Sequence, residues 1–429
     1  MAVCNTTALK TEACASGFLC VDDPATARAL KLQLLCNMAE SAPEAPLTLT
    51  VDLTSLNGAT NLDWTQGSAP TTNEVWRSIN GAAYALLSTV AGAITTLTDA
   101  TVLAAGDLYT YKVRACDGVN CSAFTTPAAI GNLLNPTPTA AVSYPDLILH
   151  LGTFDLGPNA ANLISFSAPR LARVNGNFSF NDCSLVTSIS IPDLVRVVGN
   201  LSFSGATPLS ALSSLILTSL QTIDDSFDFD GQSTPGSLVA LNLPALLTVG
   251  VQFNVLNTVG LTTISTPLVQ SVGTDTNVFQ NANLASINFP ALTTVGQELS
   301  ISLNSITTAS FASLTSIGTQ IVSADNTNLT SVSFPSLASV TGPNLNFNSC
   351  FALATFSAPN VIFSDGIQID FTDNALLVAS VNQILARGVA SATTTANYEL
   401  AGGTNAAPAG QGIIDKAALI VAGNGVNTN

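Results

Sequence analysis

The densest run of groups able to do chemistry is Asp224-Asp225-Ser226-Phe227-Asp228-Phe229-Asp230. In an extended strand, alternation puts Phe227 and Phe229 on one side and Asp228 and Asp230 on the other. Two carboxylates so aligned offer oxygen ligands to Ca²⁺, or the paired carboxyl groups of a glycan-cleaving site. The plainer reading is a solvated strand face. Asp365, Asp370 and Asp373 invite the same three readings. The single histidine, His150, would have to serve any Ser-His-Asp arrangement alone, and no GxSxG, P-loop or GxGxxG segment accompanies it. His150 is therefore expected to be an ordinary edge residue and the chain a non-enzyme, with calcium at Asp228 and Asp230 as the one cofactor to weigh.

The eight cysteines form two sets. Cys4, Cys14, Cys20 and Cys36 crowd the first forty positions, and their three pairings cannot be ranked from sequence. They contain no CxxC spacing and have no nearby histidine, so disulfides or buried thiols are expected rather than zinc. Cys116 and Cys121 flank Asp-Gly-Val-Asn, which reads as a hairpin tip closed by a short disulfide. Cys183 and Cys350 stand alone.

The elements that must position these groups are β-rich. Only 9% of the 429 residues are charged against 47% apolar, and the polar remainder is Ser-, Thr- and Asn-rich. With 27 acidic and 11 basic residues the net charge is −16, and no Lys/Arg cluster offsets it. Counterion release from a phosphate backbone is thereby excluded as a source of affinity, so nucleic acid is not an expected partner. An anionic membrane surface would repel the chain, and no apolar stretch approaches a spanning helix. No secretory n-region and h-region are visible at the N-terminus, yet the body of the chain has an extracellular character. Together these suggest a virion component or a processed chain.

Residues 1–44 read as a small Cys-containing attachment segment, with a helix over 25–39 opened by Asp22 or Asp23 and Pro24. Residues 45–130 read as short alternating strands. Within them the run Leu103-Ala-Ala-Gly106-Asp-Leu-Tyr109-Thr-Tyr111-Lys-Val113-Arg-Ala115 resembles the corner and F strand of a fibronectin type III domain. That resemblance implies a β-sandwich, makes Trp64 its buried core tryptophan, and makes Tyr109 a corner tyrosine whose hydroxyl bonds back to upstream backbone. Residues 131–144 are expected to be a linker or the entry to the next unit.

From 145 to 376 the chain repeats a pattern, Leu-x-x-(Ile/Val/Leu/Phe)-(Ser/Asn)-x-Pro-x-Leu-x-x-(Val/Ile)-Gly, ten times. The proline position falls at Pro145, Pro169, Pro192, Thr218, Pro244, Pro267, Pro290, Ala312, Pro335 and Pro359, with spacings of 22 to 26 residues. A fixed period in this range marks a solenoid. Alternation in Ile287-Asn-Phe289 and Leu299-Ser-Ile301-Ser-Leu303 predicts two strands per turn, with Gly296 between them adopting a positive φ. The pattern resembles the leucine-rich right-handed β-helix of receptor L-domains and the BspA-like repeats, which implies macromolecular recognition.

Residues 377–429 are expected to cap the stack with helices over 376–388 and 413–421. The run Tyr398-Glu-Leu-Ala-Gly-Gly-Thr-Asn-Ala-Ala-Pro-Ala-Gly resembles a segment near the C-termini of repeat-bearing proteins of tailed bacteriophages, although Gly425-Val426-Asn427 stands where that segment's Gly-Trp-Thr ending would fall. The resemblance implies a bacteriophage virion fibre or decoration protein on a head or tail. Its N-terminal segment would meet other virion proteins, and its solenoid a host cell-surface protein or glycan, in a form compatible with a homo-oligomer. An exported bacterial surface adhesin and a glycan-cleaving tailspike are the alternatives.

Overall fold

The structure is a computed structural model and describes residues 42–53, 59–133, 140–157, 162–205, 209–231 and 236–429. Cys4, Cys14, Cys20, Cys36 and the helix expected over 25–39 lie outside the described residues.

The first part of the chain forms two antiparallel sheets. One contains β1 (Leu49–Leu53), β2 (Thr60–Trp64) and β5 (Thr96–Asp99), in the order β1-β2-β5. The other contains β3 (Thr72–Ile79), β4 (Ala85–Ala91), β6 (Leu108–Asp117) and β8 (Ala128–Gly131), in the order β4-β3-β6-β8, and β7 (Asn120–Cys121) pairs with β6. Alternation explains the packing: Tyr109, Tyr111, Val113 and Ala115 of β6 point inward and are buried, while Thr110, Lys112 and Arg114 point outward. Leu49, Val51, Leu62 and Trp64 of the first sheet meet Val75, Tyr109, Tyr111 and Val113 of the second in one core.

The expected linker is structured where it is described. β8 pairs in parallel with β10 (Leu147–His150), so the larger sheet continues directly into the repeats. β9 (Ala141–Ser143), inside the expected linker, pairs in parallel with Ser165–Ser167 and is the first strand of the first turn. Of the two readings, β9 fits entry to the next unit, and its strand was not visible because three residues carry too little pattern to be seen without their neighbours.

Beyond the junction come ten turns, and each is built of three strands rather than two. The first turn has β9, β10 and β11 (Phe154–Asp155), and the seventh has Ser286–Asn288, Thr294–Val295 and Glu298–Ser300. The strand missed from sequence is the two-residue middle one, too short to show alternation. Corresponding strands pair in parallel turn upon turn, as in Thr294↔Ser316 and Val295↔Ile317. They form three rows. The second row is the continuous sheet that begins at β4, the third is a single sheet from Phe154 onward, and the first is divided into three short sheets.

Each corner has a physical cause. Between the first and second rows the repeated proline occupies the second position of a β-turn, as Pro290 does in the turn closed by Leu292 N–H donating to Phe289 O (3.3 Å), where its fixed φ suits the turn. Between the second and third rows sits the repeated glycine. Positive φ is found there only at the ends of the array, in Gly152 and Gly366. At Gly273, Gly296 and Gly318 the requirement is instead space: a Cβ would fall on the carbonyl oxygen of the preceding turn's glycine. Positive φ occurs at the third corner in eight of the turns, at Asp182, Gly205, Asn257, Gln280, Leu303, Asp325, Ser349 and Asp373.

The interior is a single cluster from Val142 to Leu419. Phenylalanines stack between turns at close to the strand spacing, for example Phe154 on Phe178 (5.3 Å), Phe227 on Phe253 (5.2 Å) and Phe311 on Phe334 (5.3 Å).

The C-terminal segment extends the stack instead of lying across it as a separate cap. Asn397–Leu400 pairs in parallel with Gln368–Asp370, and Gly425–Thr428 pairs in turn with Asn397–Leu400. Helix α1 (Val378–Ser391) and helix α2 (Gln411–Val421) occupy the intervening chain, and α1 buries Val381, Ile384 and Leu385.

Candidate functional site

Asp228 and Asp230 lie in the third-row strand Phe227–Asp230, with Phe227 and Phe229 buried beneath them. Among the described residues neither carboxylate belongs to a group of three potential metal ligands. Asp228 Oδ1 accepts from Asn254 Nδ2 (2.7 Å) and Asp230 Oδ1 from Asn257 Nδ2 (3.0 Å), both on the following turn. Burial raises the pKa of Asp228, opposed by the Asn254 hydrogen bond and reinforced by the charge of Asp225. The chain of amides continues with Asn277 Nδ2 donating to Asn254 Oδ1 (2.8 Å). Farther along the same face, Gln320 Nε2 donates to Glu298 Oε2 (2.7 Å) and Asn344 Nδ2 to Gln320 Oε1 (2.6 Å). The outer surface of the third row is therefore a ladder of amides and carboxylates linked along the axis.

Among the described residues the one group of three potential metal ligands is Glu74, Cys116 and Cys121. Both sulfurs there are consumed, since Cys116 and Cys121 form a disulfide between residues paired across β6 and β7. Cys183 and Cys350 are buried free thiols whose pKa values burial pushes up to about 12.

Asp365, Asp370 and Asp373 serve corners. Asp365 accepts N–H bonds from Thr394 (2.7 Å) and Thr395 (2.9 Å) and the Thr394 hydroxyl (2.8 Å), which hold its carboxyl well below the usual range. Asp370 Oδ1 accepts from Thr372, and Asp373 takes the positive φ of the third corner.

His150 is not at an edge. It is fully buried, stacked on Phe154 with centroids 4.3 Å apart and planes 6° off parallel. Nδ1 lies 3.3 Å from Gly152 O and Nε2 3.4 Å from Leu133 O. Burial lowers its pKa to about 4, against the effect of these two carbonyls. The edge reading failed because the turn above it is supplied by β8, which sequence assigned to another unit.

Trp64 is buried in the core between the two N-terminal sheets, and its Nε1 has no hydrogen-bond partner among the described residues. Tyr109 is buried with Arg77 over its ring (4.8 Å), but its hydroxyl makes no hydrogen bond among the described residues. The hydroxyl that reaches back is that of Tyr111, donating to Asp99 Oδ2 (2.9 Å), which also receives Arg77 Nη1 (2.6 Å). Among the described residues the expected bond from Tyr109 to upstream backbone is therefore not made, and the hydroxyl two residues along the strand bonds an upstream carboxylate instead.

A buried asparagine column escaped the sequence reading. Asn281, Asn304, Asn326, Asn374 and Asn405 recur just after the left-handed corner and are nearly inaccessible. Asn304 Oδ1 accepts from Asn281 N–H (3.1 Å), while its Nδ2 donates to Val278 O (2.7 Å) and Ile301 O (2.9 Å). Its own N–H donates to Asn326 Oδ1 (2.8 Å). The signal was present, because Asn recurs there at the repeat spacing and Cys183 and Cys350 hold the same place in two other turns. Asn405 supplies the column inside the Gly402-Gly403-Thr404-Asn405 run, where its Oδ1 accepts Leu376 N–H (2.8 Å).

Residues 158–235 and 252–366 match the family described as BspA type Leucine rich repeat region, in six copies. No curated protein matches the chain. Among solved structures, an Fn3-like protein from Clostridium thermocellum is 30% identical over 21% of this chain and 92% of its own, with a TM-score of 0.19. Pectate lyase Pel3 from Pectobacterium carotovorum is 11% identical, with 76% of this chain and 79% of that one covered and a TM-score of 0.17. Pectate lyase PelI from Erwinia chrysanthemi is 12% identical, covering 76% and 84%, with a TM-score of 0.18. At such TM-scores these likenesses bear no argument about fold or activity.

Proposed function

We propose that the chain is a non-catalytic adhesive scaffold: a bacteriophage virion protein, a head or tail fibre or decoration protein, that presents its solenoid to a host-surface protein or glycan. One observation carries this reading. Among the described residues the polar groups of the stack are joined to one another along its axis, as in the Asp228–Asn254–Asn277 chain, and do not converge on a reacting centre. A surface built this way repeats the same chemistry over many turns, which suits recognition of an extended target.

In this reading the N-terminal two-sheet unit is a fibronectin type III-like sandwich. Its three-plus-four strand order and buried Trp64 favour that assignment, and its role is to hold the solenoid away from the attachment end. The virion assignment draws on the Gly402–Asn405 run and its phage-type resemblance. Antibody labelling and mass spectrometry of purified particles test it. Labelled particles are expected; label confined to the bacterial envelope would replace the virion reading with that of an adhesin.

A further inference from the structure

We infer that the C-terminal end of the stack pairs, across a two-fold axis, with the same end of a second copy of this chain. The contact is made by helix α2 and the Gly425–Thr428 strand, and it does not depend on what the solenoid binds. Helix α2 packs on α1 and buries Gly412, Asp415 and Leu419. At about 3.6 residues per turn, the opposite side of the helix gathers Ile413, Ile414, Ala417, Ala418, Ile420 and Val421, and no polar residue interrupts them. Ile413, Ile414, Ile420 and Val421 are 58%, 61%, 49% and 89% exposed. A surface helix ordinarily turns polar residues to water, and one that is apolar on its outer side as well is normally covered there. The four large side chains expose on the order of 400 Å², as much as the largest apolar patch of an ordinary monomer.

The end of the stack itself shows what fits this face. Helix α1 lies against Thr355–Ser357 and Ile362–Phe363, the first- and second-row strands of the tenth turn. Each rung beyond that turn is therefore a helix in the place of two rows and a strand in the third. Helix α2 stacks on α1 just as Gly425–Thr428 stacks on Asn397–Leu400. On its other side Gly425–Thr428 pairs with no strand among the described residues. An open strand edge beside an apolar helix face accepts another strand beside another helix. A second copy turned about a two-fold axis supplies both at once, with the two strands antiparallel. The apolar side chains of the two copies contribute about 800 Å², and the alanines and strand edges bring the contact toward the ~1,200 Å² at which stable interfaces begin.

Charge selects the same end. From 400 to 429 the ionisable side chains are Asp415 and Lys416. Asp415 is buried and accepts from Gln411 Nε2 (2.9 Å), and Lys416 Nζ donates to Thr428 Oγ1 (2.7 Å). The body of the stack is different. Between Arg196 and Arg387 it carries ten carboxylates and no Lys or Arg. Two copies side by side would oppose these like charges, whereas end to end the neutral surfaces meet and the acidic bodies lie farthest apart.

Sedimentation equilibrium of the full chain between about 1 and about 100 µM tests the pairing. The mass is expected to rise toward that of two chains and no further, because a two-fold contact closes. Small-angle X-ray scattering should give the dimer a maximum dimension close to double that of the monomer. Ile414→Glu, which sets two carboxylates at the contact, should weaken association roughly tenfold or more. Ile414→Ala should weaken it about fivefold. Because Ile414 is exposed, both variants should unfold at the same temperature as the unchanged chain in dilute solution, which separates lost pairing from misfolding. Ile164→Glu, at an exposed apolar position of the first turn, should leave association unchanged. Raising the salt from about 0.05 to about 0.5 M should strengthen association by screening the like charges of the two bodies. A chain monomeric throughout, association indifferent to Ile414→Glu, or a dimer no longer than the monomer would overturn the inference. So would masses beyond two chains, or association that salt weakens.

Discussion

His150 shows how burial at a junction becomes a pH dependence. Its folded pKa of about 4 lies below the ordinary 6.5, so the unfolded chain takes up a proton between these values while the folded one does not. Stability is unaffected by this group above pH 6.5, falls as pH drops through the window, and by pH 4 has lost about 3 kcal/mol on its account. Urea unfolding at a series of pH values should show this slope, and His150→Phe, which can keep the stack on Phe154, should remove that part of it. Equal slopes in the two proteins would mean that the imidazole is protonated where it lies. The sequence showed that this histidine was alone but not that it was buried, because the residues covering it, such as Leu133, come from a segment read as linker.

Among the elements, the repeat period, the alternating strands and the turn proline were all legible, because each depends on a residue's own conformational preference. What could not be read depends on the turn next door. The middle strand of Thr294–Val295 exists only through its pairing with Ser271–Val272 and Ser316–Ile317. The glycine beside it was foreseen, but for the wrong reason: close approach of backbones from adjacent turns, and not φ, excludes a side chain at Gly296. Gly296→Ala should therefore destabilise by about 3 kcal/mol through overpacking. Gly236, with open space around its Cβ position, should tolerate alanine within about 0.5 kcal/mol. Thermal and chemical denaturation of the two variants decide the matter, and equal effects would refute the steric account. The candidate acids were legible as outward-facing, whereas their amide partners were not: Asn254 and Asn257 lie a full turn away in sequence.

At the scale of the molecule, the N-terminal two-sheet unit and the solenoid keep separate cores yet share one sheet through β8 and β10. Arg170 adds a clamp across the junction, donating to Pro127 O and pairing with Asp146 (3.6 Å). Ten turns and two further rungs at about 4.8 Å make a stack of roughly 60 Å, held to the N-terminal unit by backbone hydrogen bonds. On the adhesive reading proposed above, such a body would hold a binding face at a set distance and angle from the N-terminal unit, which a hinged pair of units could not do. Small-angle X-ray scattering of the chain in solution measures this directly. One rigid elongated particle should reproduce the whole profile; a profile that demands two bodies reorienting about residues 131–144 would contradict the shared sheet and the display role drawn from it.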